Sequence, residues 1–358
     1  MRFTRVAGQN FRLFGAFELA PQPRLNLILG PNASGKTTLL EAIYALGRGR
    51  SFRGAPPDLA GAAGANWVVH GQLARDGAPD LALGVGWSTE GLRLRMDQAD
   101  ATLQALVQQA PVQVLEPDSH RLVEGGPVYR RQYLDWGVFH VEHRFFPAWR
   151  RYQRALRQRN QALRGGADRL TTESWNEELA QSGEEVHRYR AEHAQALKQA
   201  LGAEIVALLG DVEWSLELRS GWAAERSLAE SLADHYENDA RQGTTLSGPH
   251  RAELKLRLDG RSAKTQASRG QQKLLVAALL MAQAKLVRAA TQRAPILLID
   301  DFPAELGPGF QAVLRAALEA YGGQCFISAI ESTLALENVP KEALFHVEHG
   351  SSGGIVRV

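Results

Sequence analysis

Residues 30–37 read Gly30-Pro31-Asn32-Ala33-Ser34-Gly35-Lys36-Thr37 and match the phosphate-loop pattern GxxxxGK[ST]. The apolar run LNLILG at 25–30 predicts a strand before the loop, and TTLLEAIYALGRG at 37–49 predicts a helix after it. Backbone amides and a helix N-terminus in this setting bind phosphates. We therefore predict ATP binding, with nucleotide contacts from Gly30, Pro31, Asn32, Ala33, Ser34, Gly35, Lys36, Thr37 and Thr38.

Two acids at the end of an apolar segment suit the magnesium ion of such a site. Asp300 and Asp301 follow ILLI at 296–299, which predicts a buried parallel strand. We predict that Mg²⁺ is held by the Thr37 hydroxyl and, through water, by Asp300. Asp301 is then positioned to orient or deprotonate the attacking water, so we predict it as a catalytic residue together with Lys36 and Ser268.

A second phosphate binder is predicted at Ser268, which precedes a helix in the segment SRGQQK at 268–273. Serine is a common helix cap, and this segment taken alone fits simple capping equally well. A serine hydroxyl and the first amides of a helix also bind phosphate. Because the first site has its own loop, we predict a composite site in which Ser268, Gly270 and Gln271 of one subunit close over nucleotide held by Lys36 of another.

The composition of the 358 residues indicates a globular protein of two domains, or of one domain with a large insertion. The longest apolar run, Leu274 to Ala282, is too short to cross a bilayer, so we expect a cytoplasmic protein without a membrane partner. The single cysteine, Cys325, excludes an internal disulfide. The net charge of +2 does not by itself indicate a polyanionic partner.

The pattern of apolar residues predicts a mixed α/β fold. Short β-rich segments between 67 and 96 predict an antiparallel meander, and PVQVL at 111–115 predicts another strand. Residues 130–240 are predicted to be mostly helical. The remaining predictions are a hairpin at 253–260, a helix from about 270 to 290, and strands at 295–301 and 324–330.

The charges are distributed unevenly along the chain. Residues 121–164 contain ten arginines and three acids, whereas 165–240 contain sixteen acids and six basic residues. Arg150, Arg154 and Arg157 recur at helical spacing and form one stripe. The stripe either contacts DNA phosphates or pairs with the acidic block. Neighbouring aromatics, Phe145, Phe146, Trp149 and Tyr152, fit a core better than base stacking.

These segments together resemble the ABC-type ATPase heads and, among them, the RecF family. The segments that carry the resemblance are NFR (10–12), GPNASGKTTLLEAIYALGRGRSFR (30–53), GGPVYRRQYLDW (125–136), ALRQRN (155–160), WNEELAQSG (175–183), GPHR (248–251), SRGQQK (268–273) and LLIDDFPAEL (297–306). The resemblance implies a weak, DNA-stimulated ATPase that dimerises on ATP, binds gapped DNA or single-strand/double-strand junctions, and works with RecR and RecO to load RecA.

The 232 residues from Lys36 to Ser268 leave room for an inserted arm. We predict a P-loop ABC-type ATPase head, a mixed sheet with an antiparallel β subdomain, split by an inserted α-helical arm domain. The predicted boundaries are 1–118 for the N-terminal lobe, 119–240 for the arm and 241–358 for the C-terminal lobe. Arg130 and Arg131 lie in a family-specific segment and are further candidates for DNA contact, while His250 and Arg251 fit a nucleotide, DNA or structural role.

The chain departs from the family pattern at several positions. Gly307 follows Ala304-Glu305-Leu306 where the family has an aspartate, and Ala33 stands where glycine is common, which we expect to be harmless. No clear glutamine follows the strand near 115, where such ATPases have a glutamine switch, and Glu116 is the candidate for that position. Two other functions remain open: an ATP-gated scaffold that does not hydrolyse, favoured by Gly307, and a transport-energising ATPase, which the long spacing disfavours.

Overall fold

The computed structural model describes residues 1–301, 307–330, 340–348 and 354–357. Its chain forms two compact units. The first contains Met1–Ser119 and Lys273–Val358, and the second contains His120–Gln272. This division places residues 241–272 with the second unit, whereas the sequence assigned them to the C-terminal lobe. The reason is strand pairing, since Glu253–Leu258 pairs with Trp214–Arg219 inside the second unit.

The described residues contain strands and helices throughout both units. The strands are β1 (Arg2–Phe11), β2 (Phe14–Leu19), β3 (Leu25–Leu29), β4 (Trp67–Arg75), β5 (Ala78–Ser88), β6 (Gly91–Met96), β7 (Ala99–Asp100), β8 (Val112–Leu115), β9 (Trp214–Arg219), β10 (Glu253–Leu258), β11 (Arg261–Ser262), β12 (Ile296–Ile299), β13 (Cys325–Ala329), β14 (Leu344–Glu348) and β15 (Gly354–Arg357). The helices are α1 (Lys36–Arg48), α2 (Leu103–Gln109), α3 (Arg121–Glu124), α4 (Pro127–Val141), α5 (Phe145–Arg164), α6 (Arg169–Glu173), α7 (Asn176–Leu209), α8 (Leu228–Asp234), α9 (Tyr236–Gln242), α10 (Ala263–Gln266), α11 (Arg269–Thr291) and α12 (Pro308–Tyr321).

The first unit contains two sheets. One is antiparallel with the order β2-β1-β4-β5-β6-β7, and it confirms the meander predicted between 67 and 96. The other has the order β15-β14-β3-β13-β12-β8, in which β15 pairs antiparallel and the remaining pairs are parallel. Helix α1 contacts strands of both sheets, and its apolar residues Leu39, Leu40 and Ile43 are buried between them.

The parallel sheet determines where the functional loops lie. In register, Ala329 pairs with Leu29 and Ile299 pairs with Leu115, so β3, β13, β12 and β8 end at a common edge. The central strands β12 and β13 are fully buried and β3 is buried at four of its five residues, which is typical of strands covered on both faces. Loops that follow the carboxyl ends of such strands form the usual ligand site of an α/β sheet.

The second unit is mostly helical, as predicted, but it also contains a three-stranded sheet with the order β11-β10-β9. Strand β9 lies within the block predicted to be helical, where the alternation of WSLELR was the missed signal. Helix α5 packs along α7. The fully buried Arg159 of α5 ties this unit together by donating to Asn176 (2.8 Å), Asp239 (2.7 Å) and Thr245 (2.8 Å).

Helix α11 is the one helix among the described residues that is long and apolar enough to cross a membrane. Within its most apolar 18-residue window, 61% is buried inside the protein. Burial of this extent is typical of a core helix, and the division between the two units falls within α11, after Gln272.

Candidate functional site

The loop after β3 has the close packing that requires glycine at two positions. A side chain at Gly30 would place its Cβ 2.4 Å from the carbonyl oxygen of Val347. Gly35 has a φ of +114°, and a Cβ there would lie 2.6 Å from the ring of Phe14. Both glycines of the motif are therefore required by the local backbone, and α1 begins directly after the second one.

Lys36 folds back over the loop that precedes it. Its Nζ donates to the carbonyl oxygens of Gly30 (2.8 Å) and Pro31 (2.9 Å). Burial lowers the pKa of Lys36, and the nearby carboxylates of Asp301 and Asp300 oppose this shift. The ammonium thus donates to two carbonyl groups of the loop. It can exchange these acceptors for a phosphate oxygen, which accepts more strongly.

Ser34 supplies an independent indication that the loop accepts a ligand. Its side chain is 2% exposed, and its hydroxyl oxygen has no hydrogen-bond partner among the described residues. A buried hydroxyl without a partner carries a free-energy cost of about 1–3 kcal/mol. A phosphate oxygen seated in the loop would satisfy this hydroxyl, so the residues present fit the group that the sequence predicts.

Thr37 and Asp300 are brought together by the parallel sheet, although 263 residues separate them in sequence. The Thr37 hydroxyl donates to Asp300, with distances of 2.9 and 3.1 Å to its two carboxylate oxygens. Burial raises the pKa of Asp300, and hydrogen bonds from Ser328 and Thr37 partly offset that rise. A hydroxyl facing a carboxylate offers the oxygen ligands that Mg²⁺ takes alongside phosphates.

Asp301 lies beside this pair in an unusual backbone conformation. Its φ is +57°, in the left-handed region, and its amide donates to the hydroxyl of Ser328 at 2.7 Å. The same hydroxyl donates to Asp300 at 2.8 Å. Ser328 therefore orients the Asp300 carboxylate and holds the backbone of Asp301, a role that sequence reasoning missed; the available signal was a serine near the end of the buried strand β13.

Two further residues lie near this edge: Arg53, which sequence reasoning missed, and Glu116, the predicted switch candidate. Arg53 is exposed and close enough to Asp300 to lower its pKa, opposing the effect of burial. Glu116 directly follows β8, whose last residue pairs with Ile299, and it therefore lies at the same sheet edge as Asp300. This placement agrees with the switch position predicted for Glu116, and its role stays a prediction.

Ala33 requires a correction. We expected alanine to be harmless here because the loop binds through its backbone. The structure gives Ala33 a φ of +62°, in the left-handed region where alanine costs about 1–2 kcal/mol relative to a right-handed conformation. Glycine at this position would avoid the cost, so the substitution affects the stability of the loop.

Ser268 belongs to the second unit and caps α11. Its hydroxyl accepts from the amide of Gln271 at 3.2 Å, and the Gln271 side chain accepts from the amide of Ser268 at 2.9 Å. This reciprocal pair is a capping box, so the capping role considered for Ser268 is present. Ser268 is also exposed, and the first-turn amide of Gly270 has no intrahelical acceptor. Capping and phosphate binding are thus compatible here.

Arg130 and Arg131 are held inside the second unit. Arg130 forms two hydrogen bonds with Glu253, at 2.7 and 3.0 Å, and its remaining nitrogen donates to three backbone carbonyls. Arg131 donates to the carbonyl oxygen of Ala252 at 2.9 Å, and burial lowers its pKa. Arg130 has every guanidinium nitrogen engaged, so we assign it a structural role in place of the predicted DNA contact.

His250 is also engaged internally. Its Nδ1 lies 2.5 Å from the hydroxyl of Tyr152, and its Nε2 lies 2.9 Å from the carbonyl oxygen of Thr245. Burial lowers the pKa of His250 to about 4, with smaller contributions from Arg251, Arg131 and Arg190. Of the roles considered for this histidine, the structural one fits its contacts.

The arginines of α5 separate into paired and unpaired groups. Arg151 forms ion pairs with Glu178 (2.8 Å) and Glu185 (3.4 Å) of α7, and Arg159 is the buried partner of Asp239. In contrast, the exposed Arg150, Arg154 and Arg157 have no ion-pair partner among the described residues. They belong to an acid-free row that we call the α5 outer face: Phe146, Trp149, Arg150, Gln153, Arg154, Arg157, Gln161 and Arg164.

The loop after Asp301 includes Ala304, Glu305 and Leu306, which lie outside the described residues. Gly307 is described, and it forms the N-cap of α12. Its effect on coupling between two nucleotide sites stays a prediction.

Comparison with known proteins agrees with this fold. A family model described as an AAA domain matches residues 5–59. The DNA replication and repair protein RecF of Stutzerimonas stutzeri (strain A1501) is 41% identical over 358 residues, covering 98% of this chain and 96% of the relative. A solved structure of the recombination mediator protein RecF-ATP in the RecFOR pathway is similar with a TM-score of 0.87 and 23% identity, covering 99% of this chain and 97% of that one.

The fold likeness extends to a more distant group. An Smc head bound to the C-winged helix domain of ScpA has a TM-score of 0.62 and 14% identity, covering 99% of this chain and 97% of that one. The two solved structures confirm the predicted fold, an α/β ABC-type ATPase head. The 41% identity to the Stutzerimonas relative over 98% of this chain, together with the fold and the loop geometry, shows that this chain belongs to the RecF family of DNA replication and repair proteins.

Proposed function

We propose that this protein is an ATP-binding protein of DNA replication and repair that closes a homodimer on DNA when ATP is bound and releases it after slow hydrolysis. One observation carries the proposal most strongly. The Thr37 hydroxyl donates to the Asp300 carboxylate at the carboxyl edge of the parallel sheet, and the Lys36 ammonium lies in the same loop as the Ser34 hydroxyl, which has no hydrogen-bond partner among the described residues. A solved relative is named as RecF-ATP, which supports the same ligand for this chain.

The residues have distinct roles in this proposal. Amides of the loop from Gly30 to Thr38 bind the phosphate chain, and Lys36 exchanges its two carbonyl acceptors for β- and γ-phosphate oxygens. Thr37 and Asp300 hold Mg²⁺, whose charge offsets that of the phosphates. Asp301, whose backbone amide is held by Ser328, positions the attacking water.

The second part of the proposal is a composite site between two subunits. The exposed hydroxyl of Ser268 and the first amides of α11, including that of Gly270, face solvent as an anion-binding helix terminus. In the closed dimer these groups, with Gln271, contact the γ-phosphate bound by Lys36 of the partner. Nucleotide then joins the two subunits, and hydrolysis separates them.

Mixed dimers test the composite site. Ser268→Arg subunits and Lys36→Met subunits are each expected to lack ATPase activity. A mixed dimer contains one site with both wild-type halves and one site with neither. Each mixed dimer should therefore have up to about half of the ATPase activity of a wild-type dimer. No restoration, despite dimers being observed, would contradict the composite arrangement.

DNA binding is assigned to the α5 outer face. Its arginines have no carboxylate competitor among the described residues, so they are available for phosphates. We further propose that the DNA is gapped or contains a single-strand/double-strand junction, that it stimulates the weak ATPase, and that RecR and RecO are partners. The pathway named for the solved relative supports these partners.

Sedimentation tests nucleotide-driven dimerisation and DNA coupling together. The wild-type protein should sediment as a dimer with ATP, as a monomer with ADP, and as a larger dimeric complex with ATP and a gapped duplex. Lys36→Met should stay monomeric in all three conditions. A dimer that is equally populated with ADP would overturn the proposed switch.

A scaffold that binds ATP without hydrolysis is the second candidate function. Gly307, which caps α12 where the family has an aspartate, is the observation that favours it. Single-turnover hydrolysis with and without gapped DNA distinguishes the two functions, because only the ATPase converts bound ATP to ADP.

A further inference from the structure

We propose that a cleft at the amino edge of the parallel sheet binds a small anion that carries phosphate groups, and that Arg2, Arg24 and Arg288 hold it. All residues that line the cleft belong to the first unit. The cleft is a second anion site, separate from the phosphate loop. The proposal does not depend on the binding of ATP or DNA.

The cleft is built from segments that enter the sheets. Arg24 directly precedes β3, Gln324 directly precedes β13, Ala294 lies two residues before β12, and Arg2 is the first residue of β1. The phosphate loop follows the other end of β3, whose five residues span about 16 Å. The cleft and the loop therefore lie at opposite edges of the parallel sheet, and one phosphate group cannot contact both.

The space in the cleft exceeds that of a single ion. Its volume is about 200 Å³, whereas one water molecule occupies about 30 Å³ of the liquid. Gly322 contributes to this space, because a Cβ there would lie 3.3 Å from the Arg288 guanidinium. A side chain at Gly323 is excluded by packing, with its Cβ 2.5 Å from the ring of Tyr321. The two glycines thus leave the cleft open beside Arg288.

The three arginines are not neutralised by the protein. Arg2, Arg24 and Arg288 form no ion pair with a carboxylate among the described residues. Asp76 is the one acid among the described residues that line the cleft, and its carboxylate pairs with the amino-terminal ammonium at 2.9 Å. The hydrogen bond and charge of that ammonium lower the pKa of Asp76, and Arg2 contributes less. Positive charge is therefore in excess in the cleft.

Two helix ends account for part of this positive charge. Helix α11 ends at Thr291 and α12 ends at Tyr321, next to Gln292 and Gly322 of the cleft. Each helix C-terminus has a partial charge of about −0.5. Arg288 responds to one of them by donating to the carbonyl oxygen of Tyr321 at 3.3 Å. Together the helix ends offset about one of three positive charges, and the remaining charge suits an anion of about −2.

Phosphate fits this arrangement better than a single carboxylate. A guanidinium group forms two parallel hydrogen bonds with phosphate oxygens. A carboxylate has one negative charge and two oxygens in one plane, whereas a phosphate or diphosphate has more charge and presents oxygens in several directions. Three guanidinium groups around one space can each use a different oxygen. The phosphate could be a free inorganic ion or part of a nucleotide, and the two sources are separated below.

Calorimetry with pyrophosphate at constant ionic strength counts the sites. Wild-type protein should bind two pyrophosphates per chain, and Lys36→Met, which weakens the phosphate loop, should bind one. Adding Arg24→Gln and Arg288→Gln to Lys36→Met should weaken the remaining site roughly a hundredfold, since each charge-assisted hydrogen bond contributes about tenfold or more. Arg5→Gln is the matched control, because Arg5 is also on β1 but pairs with Glu18 at 2.7 Å. Its affinity should stay within about twofold.

Chemical protection gives a readout that does not require a variant to fold. Phenylglyoxal modifies accessible arginines, and mass spectrometry measures the rate at each one. In the wild-type protein, pyrophosphate should slow the modification of Arg24 and Arg288, which are exposed. It should leave the rate at the equally exposed Arg5 unchanged.

Orthophosphate, pyrophosphate and ADP titrated into Lys36→Met identify the source of the phosphate. ADP binding as tight as that of pyrophosphate assigns the site to a nucleotide, and pyrophosphate binding without ADP binding assigns it to a free ion. Either result supports the proposal. Equal protection of the arginines by sodium chloride at the same ionic strength would overturn it. So would pyrophosphate binding to Lys36→Met that is absent, or that is unchanged by Arg24→Gln with Arg288→Gln; neither result affects the phosphate loop of the wild-type protein.

Discussion

The phosphate loop of the first unit and the α5 outer face of the second both offer positive charge to an anion, but they are built differently. In the loop, Lys36 bonds to carbonyls only five and six residues away. In α5, an arginine is free or paired according to residues far along the chain, as Arg151 is paired by Glu178 and Arg159 by Asp239.

This difference explains why the phosphate loop could be predicted from a sequence motif and the α5 outer face could not. A loop that binds through its own backbone has a sequence pattern fixed by local geometry. An arginine stripe gives the same sequence pattern whether its members bind DNA or support the fold. Paired and unpaired arginines, and residues with local and with long-range partners, are therefore expected to respond differently to substitution.

The largest effect is expected for Arg159. Arg159→Met leaves the fully buried carboxylate of Asp239 without its partner, and we expect a loss of about 3–5 kcal/mol in the free energy of unfolding. Arg157→Met, two residues away on the exposed face, should change it by less than about 0.5 kcal/mol. Urea denaturation of both variants measures the contrast.

A double variant checks the cause of that loss. Arg159→Met combined with Asp239→Leu removes both charges and should recover part of the stability. If the double variant were no more stable than Arg159→Met, the buried charge would not be the reason for the loss.

The next effect is the pH dependence caused by His250. Its pKa is about 4 in the folded protein and 6.5 in the unfolded chain, so the unfolded state binds the proton more tightly. The contribution of neutral His250 to the free energy of unfolding is complete above pH 6.5 and decreases as the pH falls. Below about pH 4 it stops changing, and the total loss is at most about 3 kcal/mol. Urea midpoints of wild type and His250→Gln should diverge over this range, and parallel curves would contradict the assignment.

A smaller effect on affinity is expected for the unpaired arginines. Arg154→Gln with Arg157→Gln should leave stability unchanged and reduce the salt slope of single-strand binding by about 1.4, since each phosphate contact contributes about 0.7. Arg151→Gln also removes one positive charge from α5, but Arg151 is already paired with Glu178 and Glu185 of α7. The salt slope of this variant should therefore stay close to that of wild type. Equal effects of the two changes would remove the distinction between paired and unpaired arginines.

The smallest effect is local to the phosphate loop. Ala33→Gly should stabilise the protein by up to about 1 kcal/mol, because relief at φ +62° exceeds the entropic cost of glycine. ATP affinity should be unchanged, since the loop binds through its backbone. Ala62→Gly, at an exposed loop alanine outside the left-handed region, should be neutral or slightly destabilising in thermal unfolding.

Much of the fold could be predicted because the relevant patterns are local. The runs that form β3, β12 and β13 are short, apolar and bounded by turn residues, and the meander of β4, β5 and β6 has β-rich segments separated by polar turns. Strand β9 could not be predicted in the same way, because its pairing with β10 joins residues about 40 positions apart inside a helical context.

The sequence by itself determined the phosphate loop, the order of strand, loop and helix around it, and the two acids after β12, since glycine geometry and strand burial are properties of neighbouring residues. Only the tertiary structure decided that Ser328 bonds to the Asp300 carboxylate and to the backbone of Asp301, that Ala33 adopts a left-handed conformation, and which arginines of α5 have ion-pair partners among the described residues. The physical reason is that hydrogen bonds and ion pairs depend on distances of a few ångströms, and the fold sets those distances between residues that the sequence places far apart.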